Sequence, residues 1–331
     1  MPLATMPRVS LCALPTPLQR VRNFEAALGP DSPRIYLKRD DLTGLAIGGN
    51  KARKLEYLVA DALMMGATVL ITEGAVQSNH ARMTAAAAAA SGLRSALVLD
   101  TRNGDEVAGN LLLDYLFGAE VHLVADPSER SEKMLAVAKA LEARGERPYV
   151  VPTGGSVPIG AAGYVRASLE LADQLVEAGE APVRLYSASG SLGTQAGLIV
   201  GAKLVSATYG VHGVAVSHAT SPMETRCADL CNQTAALLGL PQRTTESEVI
   251  LHPQFVGEAY GRRTRGGVEA ITLLAQTEGI LLDPVYSSKA MSGLIAHIRD
   301  HDIRADESVV FLHTGGAPAL FAHGAALLEQ A

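Results

Sequence analysis

The stretch Gly48-Gly49-Asn50-Lys51, followed by Ala52-Arg53-Lys54-Leu55-Glu56-Tyr57-Leu58, decides the fold. Two adjacent glycines allow a tight turn and leave room beside the backbone for a flat ligand. Asn50 is predicted to cap a helix, because apolar residues recur at helical spacing from Leu55 to Leu63. Lys51 then begins that helix, where the helix dipole disfavours a cation and makes the amine easier to deprotonate. An uncharged lysine amine forms Schiff bases with aldehydes, whereas the alternative is an ordinary solvated lysine.

Composition indicates a folded protein with an ample core. Of 331 residues, 48% are hydrophobic and 19% are charged, enough for two modest domains or one large one. The net charge is −6, with the two signs interspersed and no basic stripe, which argues against a nucleic-acid partner. The sparse cysteines Cys12, Cys227 and Cys231 do not suggest a disulfide framework. Cys227 and Cys231 share a predicted helix face, where packing is preferred to a metal site.

The N-terminus contains no charged start followed by an apolar run, and the sequence shows no apolar run long enough to span a bilayer. We therefore expect no signal peptide, no membrane partner and a cytoplasmic location.

Short β-rich runs alternate with helical runs, which is typical of an α/β protein with mainly parallel strands. Strands are predicted at 35–39, 69–72, 95–99, 121–124, 149–151, 183–186, 211–216, 249–251 and 309–312. Helices are predicted at 55–65, 81–91, 111–116, 131–143, 164–176, 195–204, 223–238, 267–277 and 289–300, with one more after 316.

Two loops that follow strands carry polar groups suited to a ligand. The loop Ser189-Gly190-Ser191-Leu192-Gly193-Thr194 offers backbone N–H groups and a helix N-terminus to an anion, and it lacks the endings of nucleotide-binding loops. It suits a single phosphate; the alternative is a glycine-rich turn that binds nothing. Gln77-Ser78-Asn79-His80 lies at a strand end, where α/β sheets bind ligands, although capping alone would explain Ser78 and Asn79.

Tyr260 and Tyr286 are loop aromatics that could instead be core residues with satisfied hydroxyls. For His80 and His313 we prefer a capping or supporting role to a catalytic one.

Six motifs occur along the chain in the same order as in one known protein family. They are Lys-Arg-Asp-Asp at 38–41, Gly-Gly-Asn-Lys at 48–51, Gln-Ser-Asn-His at 77–80, the 189–194 loop, Leu-Asp-Pro-Val-Tyr at 282–286 and His-Thr-Gly-Gly-Ala at 313–317. From about Pro7 to Phe321 the chain resembles the D-cysteine desulfhydrase and 1-aminocyclopropane-1-carboxylate deaminase family. The resemblance implies a pyridoxal 5′-phosphate (PLP) enzyme of fold type II, like tryptophan synthase β.

The resemblance also implies two domains, each an open, mainly parallel sheet flanked by helices. The large PLP-binding domain would comprise 1–51 and 163–331, and the small domain 52–162. A small amino-acid substrate and a homodimer are implied as partners, and no metal is expected.

Roles are carried over by motif. Lys51 would be the Schiff-base lysine and the base that removes the α-proton, and Ser78, Tyr260 and Tyr286 would join it in catalysis. Substrate binding would involve Gln77, Ser78, Asn79, Tyr260 and Tyr286. The cofactor would contact Lys51, Asn50, Asn79, Ser189, Gly190, Ser191, Leu192, Gly193, Thr194, Ser287, Thr314 and Gly315.

Ser287 distinguishes the reactions that the resemblance allows. Relatives that open the cyclopropane ring carry a glutamate that protonates the pyridine nitrogen, and a neutral serine supports that charge much less. We therefore predict β-elimination of D-cysteine to pyruvate, ammonia and hydrogen sulfide. The alternatives are L-cysteate sulfo-lyase, releasing sulfite, and then the cyclopropane deaminase. A non-catalytic PLP-binding protein ranks last.

Two segments depart from the family pattern. Arg262, Arg263 and Arg265 replace an expected apolar segment; they could recognise a second acidic group on the substrate, but a solvated loop is the preferred reading. The Asn103-Gly104-Asp105 turn is short, which could change the entrance to the pocket.

Overall fold

The computed structural model describes residues 1–102, 104–218 and 222–328, with side chains as far as residue 324, so Asn103 of the short turn lies outside the described residues. The strands are β1 (Leu18–Arg20), β2 (Arg34–Lys38), β3 (Val69–Ala75), β4 (Arg94–Asp100), β5 (Glu120–Val124), β6 (Pro148–Val150), β7 (Arg184–Ser189), β8 (Gly210–Ala215), β9 (Ile250–His252) and β10 (Ser308–Leu312). The helices are α1 (Arg22–Leu28), α2 (Lys51–Met64), α3 (Asn79–Ala90), α4 (Gly109–Leu116), α5 (Arg130–Ala143), α6 (Pro158–Ala178), α7 (Gly193–Leu204), α8 (Met223–Leu238), α9 (Arg265–Glu278), α10 (Ser287–Arg299) and α11 (Pro318–Leu328).

The larger sheet has six strands in the order β1-β2-β10-β7-β8-β9, and every neighbouring pair is parallel except β1 with β2. Helices α6, α7 and α8 cover one face, and α1, α9 and α10 cover the other. Because both faces are covered, β10 is buried along its whole length, as expected of a strand inside a parallel sheet.

The smaller sheet has four parallel strands in the order β5-β4-β3-β6. Helices α2, α3 and α4 pack on one face, while α5 packs on the other. All four strands lie within the predicted small domain, although the exact boundaries at 52 and 162 stay predictions. Helix α2 also crosses α6 closely: a Cβ at Gly163 would lie 2.3 Å from the carbonyl oxygen of Arg53. Only glycine permits this approach.

A buried charge network fastens α2 to β2 and α6. Arg53 donates to both carboxylate oxygens of Asp40 at 2.8 Å and to Glu170 at 2.8 and 3.0 Å. Lys38 donates to Glu170 at 2.5 Å. Two cations therefore face two anions, and the charges balance inside the protein. The network holds the start of α2, and with it Lys51, in a fixed position.

The observed elements match the predicted ones closely, with a few differences. The short β1 and α1 were not predicted, because three strand residues and seven helical ones carry little periodic signal. Strand β9 spans Ile250–His252 rather than 249–251. Cys227 and Cys231 are buried in the core between α7 and α8. Within the described ranges, no helix is both long and apolar enough to cross a membrane.

Candidate active site

A cavity of about 700 Å³ opens where strands of both sheets end. Its walls come from residues that follow β3, β6, β7 and β10, which is where α/β proteins bind ligands. Of the predicted site residues, the cavity is lined by Asn50, Lys51, Ser78, Asn79, Ser189, Gly190, Ser191, Leu192, Thr194, Tyr260, Tyr286 and Thr314. Four predicted residues do not line it: Gln77, Gly193, Ser287 and Gly315.

The glycine turn before α2 is wedged between two segments. Gly48 has φ +74°, and a Cβ there would lie 1.7 Å from the carbonyl oxygen of Asp41. The Gly49 N–H donates to Thr43 Oγ1 at 2.8 Å, and the Asn50 N–H donates to the Thr314 carbonyl at 3.1 Å. The turn is therefore fixed from both sides, so the orientation of Lys51 is set by the backbone.

Asn50 does not cap α2, which corrects the sequence prediction. Its backbone is already helical (φ −60°, ψ −21°), a conformation that points the side chain away from the free N–H groups of the first turn. The amide instead bridges two parts of the site: Nδ2 donates to Thr194 Oγ1 at 2.9 Å, and Oδ1 accepts from Lys51 Nζ at 2.9 Å. Asn50 thus connects the lysine with the 189–194 loop.

Lys51 is the first residue of α2, and its amine faces the cavity. Burial lowers the pKa of Lys51 to about 8; Asp283 acts in the opposite direction, and the charge of Arg82 adds to the lowering. The direction agrees with the sequence prediction, but the main cause is burial rather than the helix dipole. At pH 7 about a tenth of this amine is therefore uncharged, far more than of an exposed lysine.

The 189–194 loop presents unused hydrogen-bond donors. Leu192 adopts the left-handed conformation (φ +72°), and α7 begins at the next residue. Among the described residues, the N–H groups of Gly190, Ser191 and Leu192 meet no protein acceptor, whereas the Gly193 N–H donates to Ser156 Oγ at 3.1 Å. Converging free N–H groups at a helix N-terminus form an anion site. The loop therefore fits the phosphate of PLP.

Lys54 is a residue that the sequence prediction missed. It lies one turn after Lys51, is 1% exposed, and donates to the Gly154 carbonyl at 3.0 Å. Its amine lies against the loop, because a Cβ at Gly193 would approach Lys54 Nζ to 2.9 Å. Burial lowers the pKa of Lys54 well below its usual range, and no carboxylate pairs with it in the described part of the chain. The i, i+3 spacing from Lys51 was the available signal.

Asn79 has a defined amide orientation. Its Oδ1 accepts from Arg82 Nη1 at 3.2 Å and from Asn110 Nδ2 at 3.0 Å. The oxygen is therefore occupied, and Nδ2 is the atom that can donate into the cavity. Arg82 is fully buried and also donates to the Gly48 carbonyl at 3.0 Å, so it ties the glycine turn to Asn79. Sequence reasoning did not single out Arg82.

Ser78 caps α3, as its position in the sequence predicts: its Oγ accepts from the Ala81 N–H at 3.2 Å. Its hydroxyl proton stays available to the cavity. Gln77 turns away, because its amide donates to the Ala108 carbonyl at 2.9 Å and accepts from the Asn110 N–H at 2.9 Å. It thus holds the start of α4 rather than contacting the cavity.

His80 and His313 support the walls. His80 Nε2 lies 3.0 Å from Thr72 Oγ1, and burial lowers the pKa of His80 well below its usual range. His313 Nε2 donates to the Leu281 carbonyl at 3.0 Å, and Nδ1 accepts from the Gly315 N–H at 3.1 Å. A Cβ at Gly315 would lie 2.7 Å from the Cα of Gly49, so Gly315 packs behind the glycine turn.

Tyr260 and Tyr286 meet through their hydroxyl groups, and their ring centroids are 5.9 Å apart. Burial raises the pKa of Tyr260 and, together with the neighbouring Tyr260, raises that of Tyr286 well above its usual range. Both phenols are therefore protonated at neutral pH. Only one of the two hydroxyl protons can lie between the two oxygens, so the second hydroxyl proton can be donated into the cavity.

Ser287 is buried, and its hydroxyl is used internally. Its Oγ donates to Asp283 Oδ1 at 2.7 Å and accepts from the Asp283 N–H at 2.8 Å. Asp283 also accepts the N–H groups of Val285, Tyr286 and Ser287 at 2.7–3.0 Å, which fixes the start of α10. Contact between Ser287 and the pyridine nitrogen stays a prediction.

None of Arg262, Arg263 and Arg265 lines the cavity, and Arg262 and Arg265 are exposed. Three other arginines do line it: Arg102, Arg130 and Arg226.

Known proteins share this architecture over nearly the whole chain. The family profile of pyridoxal-phosphate dependent enzymes matches residues 9–315. The D-cysteine desulfhydrase of Salmonella choleraesuis (strain SC-B67) is 43% identical over 329 residues, 97% of each chain. That of Serratia proteamaculans (strain 568) is 43% identical over 326 residues, again 97% of each. The crystal structure of an ACC deaminase homologue has a TM-score of 0.90 and 39% identity, covering 99% of this chain and 98% of that one. The predicted fold is thereby confirmed, and this chain belongs to the family of pyridoxal-phosphate dependent enzymes.

Proposed function

We propose that the protein is a lyase that converts D-cysteine to pyruvate, ammonia and hydrogen sulfide by β-elimination. One observation carries the proposal: a largely desolvated lysine amine, an anion-binding loop and a proton-donating tyrosine pair line a single cavity. The relatives named D-cysteine desulfhydrase support the choice of substrate.

The residues present suit PLP. Lys51 would hold the aldehyde carbon covalently, and the free N–H groups of residues 190–192 would receive the phosphate. Lys54, behind the loop, would take up a proton when the phosphate binds, because a nearby anion opposes the lowering of its pKa, and would then supply positive charge to the phosphate. Asn79 Nδ2 would donate to the ring hydroxyl oxygen. When bound, PLP supplies an electron sink for the α-carbon of an amino acid.

The protein's own groups account for the remaining steps. Ser78, at the N-terminus of α3, would donate to the substrate carboxylate, aided by the helix dipole. Lys51, with a pKa of about 8, can accept the α-proton at physiological pH. The tyrosine pair would donate a proton to the leaving sulfur, which gains charge as the Cβ–S bond breaks.

The cyclopropane deaminase is the second candidate, because the ACC deaminase homologue has the same fold at 39% identity. The contacts of Ser287 argue against it. Its hydroxyl proton goes to Asp283, so the residue offers no acid to a ring nitrogen. L-cysteate, the other alternative substrate, would require the same Lys51 chemistry and would release sulfite.

A substrate panel tests the proposal. Purified protein with PLP would be incubated separately with D-cysteine, L-cysteate and the cyclopropane acid, and keto acid, sulfide and sulfite measured. We expect pyruvate and sulfide from D-cysteine, with a loss of at least about 10³-fold in Lys51→Ala and wild-type rates in the exposed control Lys139→Ala. Faster turnover of the cyclopropane acid would contradict the proposal.

We also propose a homodimer, and a cytoplasmic location stays a prediction. Exposed apolar side chains on two adjoining helices support the dimer: Leu112, Tyr115 and Leu116 on α4, and Phe321 on α11. Light scattering of wild type and Leu116→Glu tests it. A monomeric wild type would refute the dimer, and an unchanged dimer in the variant would place the contact elsewhere.

A further inference from the structure

The outer part of the cavity carries a positive charge that the proposed reaction of D-cysteine does not use. Arg102 follows β4 and Arg130 begins α5, and both face Asp100, the fully buried last residue of β4. Arg102 Nε donates to Asp100 Oδ1 at 3.0 Å, and Arg130 Nη1 lies 3.6 Å from Asp100 Oδ2. The single carboxylate of Asp100 is thus shared by the guanidinium groups of Arg102 and Arg130.

The other acid close to both arginines does not neutralise them directly. Asp126 is exposed, and its carboxylate accepts from the Ser128 N–H at 2.8 Å and from Ser128 Oγ at 2.6 Å. Across the described residues, Asp126 forms no ion pair with Arg102 or Arg130. The two Nη groups of Arg102 likewise have no hydrogen-bond acceptor among those residues, so they can bind an incoming anion.

Both arginines act on the tyrosine pair, and Arg102 lies close to one of its rings. The guanidinium carbon of Arg102 lies 5.8 Å from the centroid of the Tyr260 ring, within the range of a cation–π contact. Burial raises the pKa of Tyr260 and that of Tyr286, and the charges of Arg102 and Arg130, respectively, act in the opposite direction. Both arginines therefore line the same cavity as the tyrosine pair proposed to face the leaving sulfur.

We infer that Arg102 and Arg130 bind an anionic oxygen group carried by the leaving sulfur of the substrate. The inference rests on the proposed β-elimination and extends its substrate class to cysteine S-sulfonates. Arg102 lies near the Tyr260 ring and keeps its two Nη groups free among the described residues, so an anionic group attached to the leaving sulfur can bind there. Arginine binds such oxyanions through paired N–H donors.

The chemistry requires no additional reactant. The Cα–H bond breaks, its proton passes to the Lys51 amine, and its electron pair forms the Cα=Cβ bond. The Cβ–S bond breaks, and its electron pair leaves with sulfur as thiosulfate. Water then hydrolyses the released enamine to pyruvate and ammonia. No atom is oxidised or reduced by an outside agent.

The test compares S-sulfo-D-cysteine, D-cysteine and β-chloro-D-alanine in wild type, Arg102→Gln, Arg130→Gln and the double variant. Arg262→Gln and Arg265→Gln are matched controls, because both arginines are exposed and lie outside the cavity lining. Pyruvate and thiosulfate are measured, and thiosulfate is also tested as an inhibitor competitive with D-cysteine.

We expect kcat/KM for S-sulfo-D-cysteine relative to D-cysteine to fall at least about tenfold in the double variant and to keep its wild-type value in the controls. Inhibition by thiosulfate should weaken in parallel, and both effects should shrink at high salt. An equal ratio in wild type and double variant, or turnover of D-cysteine without turnover of the S-sulfonate, overturns the inference alone. Absence of pyruvate from all three substrates overturns the proposed function as well.

Discussion

At the scale of single residues, Lys51 is the group whose protonation matters most. Its pKa of about 8 lies well below that of an exposed lysine because its amine is buried. Only the uncharged amine attacks an aldehyde, so the rate at which PLP attaches to the apoprotein should rise as pH increases through about 8 and level off above about 9.

Stopped-flow absorbance between pH 6 and 10 measures this rate. Lys51→Ala, which lacks the amine, should show no covalent attachment. A rate that still rises steeply between pH 9 and 10, as for a solvated lysine, would contradict the pKa shift.

The amide of Asn79 provides a second test at this scale. Asn79→Asp keeps an acceptor for Arg82 and Asn110 but removes the Nδ2 donor. We expect stability of the apoprotein close to that of wild type and PLP affinity reduced about tenfold to a hundredfold, since a hydrogen bond to a charged oxygen contributes ~1.5–3 kcal/mol. Fluorescence titration with PLP measures the affinity, with Asn23→Asp, whose amide donates to the Thr277 carbonyl far from the cavity, as the control. Undiminished PLP affinity would show that Asn79 does not donate to the cofactor.

The residues around Lys51 differ in how far the sequence could predict them. The 189–194 loop was found because its glycines and its position after a strand are visible in the sequence, whereas the tyrosines were assigned through the family motifs. Arg82 and Lys54 were missed, because a buried cation is identified by what surrounds it, and those neighbours come from distant segments. Gln77 was assigned to the substrate although α4 takes both ends of its amide. No local signal indicates which way such a side chain turns.

At the scale of elements, the attachment of α2 depends on Arg53. Arg53→Met would leave Asp40 and Glu170 with Lys38 as the one basic partner within the network described above. Breaking a buried ion pair by removing one partner costs about 3–5 kcal/mol. Urea unfolding should show a loss of that size, whereas Arg304→Met, at an exposed surface pair, should change stability by less than about 1 kcal/mol. A loss below 1 kcal/mol for Arg53→Met would mean that the network does not hold the helix.

The positions and types of the helices and strands were largely predictable, because apolar residues recur at regular spacing within each element and glycines mark where elements end. The pairing of strands within each sheet was not predictable from the sequence. Strand β10 lies between β2 and β7, a pairing set by the packing of helices on both faces of the sheet.

At the scale of the whole molecule, acid should destabilise the protein through its histidines. His212 Nδ1 lies 2.9 Å from His252 Nε2, and the rings of His252 and His297 are 4.6 Å apart. The charges of Arg184 and Asp302 act on this cluster. Burial, together with the neighbouring cations, lowers the pKa of His212 to about 3 and that of His252 to about 4.

A histidine in the unfolded chain has a pKa near 6.5, whereas these histidines have lower pKa values in the folded protein. Below pH 6.5 the unfolded chain therefore binds more protons than the folded protein does. This contribution to stability is complete above about pH 6.5 and is lost as pH falls towards 4. Each histidine adds ~1.4 kcal/mol per pH unit to the slope. Urea unfolding at pH 7, 6 and 5 should give a shallower slope in His252→Gln than in wild type or in the exposed control His301→Gln. Equal slopes in all three would exclude the histidine cluster as the cause.

The position of β10 also bears on how the chain is made. The larger sheet receives a central strand from residues 308–312, which are made after all the other described strands, while the strands of the smaller sheet are complete by residue 150. During synthesis the smaller sheet can therefore form first, while β2 and β7 still lack the strand that lies between them. Until then the unpaired edges of these strands are open to wrong partners, which makes the incomplete chain prone to aggregation.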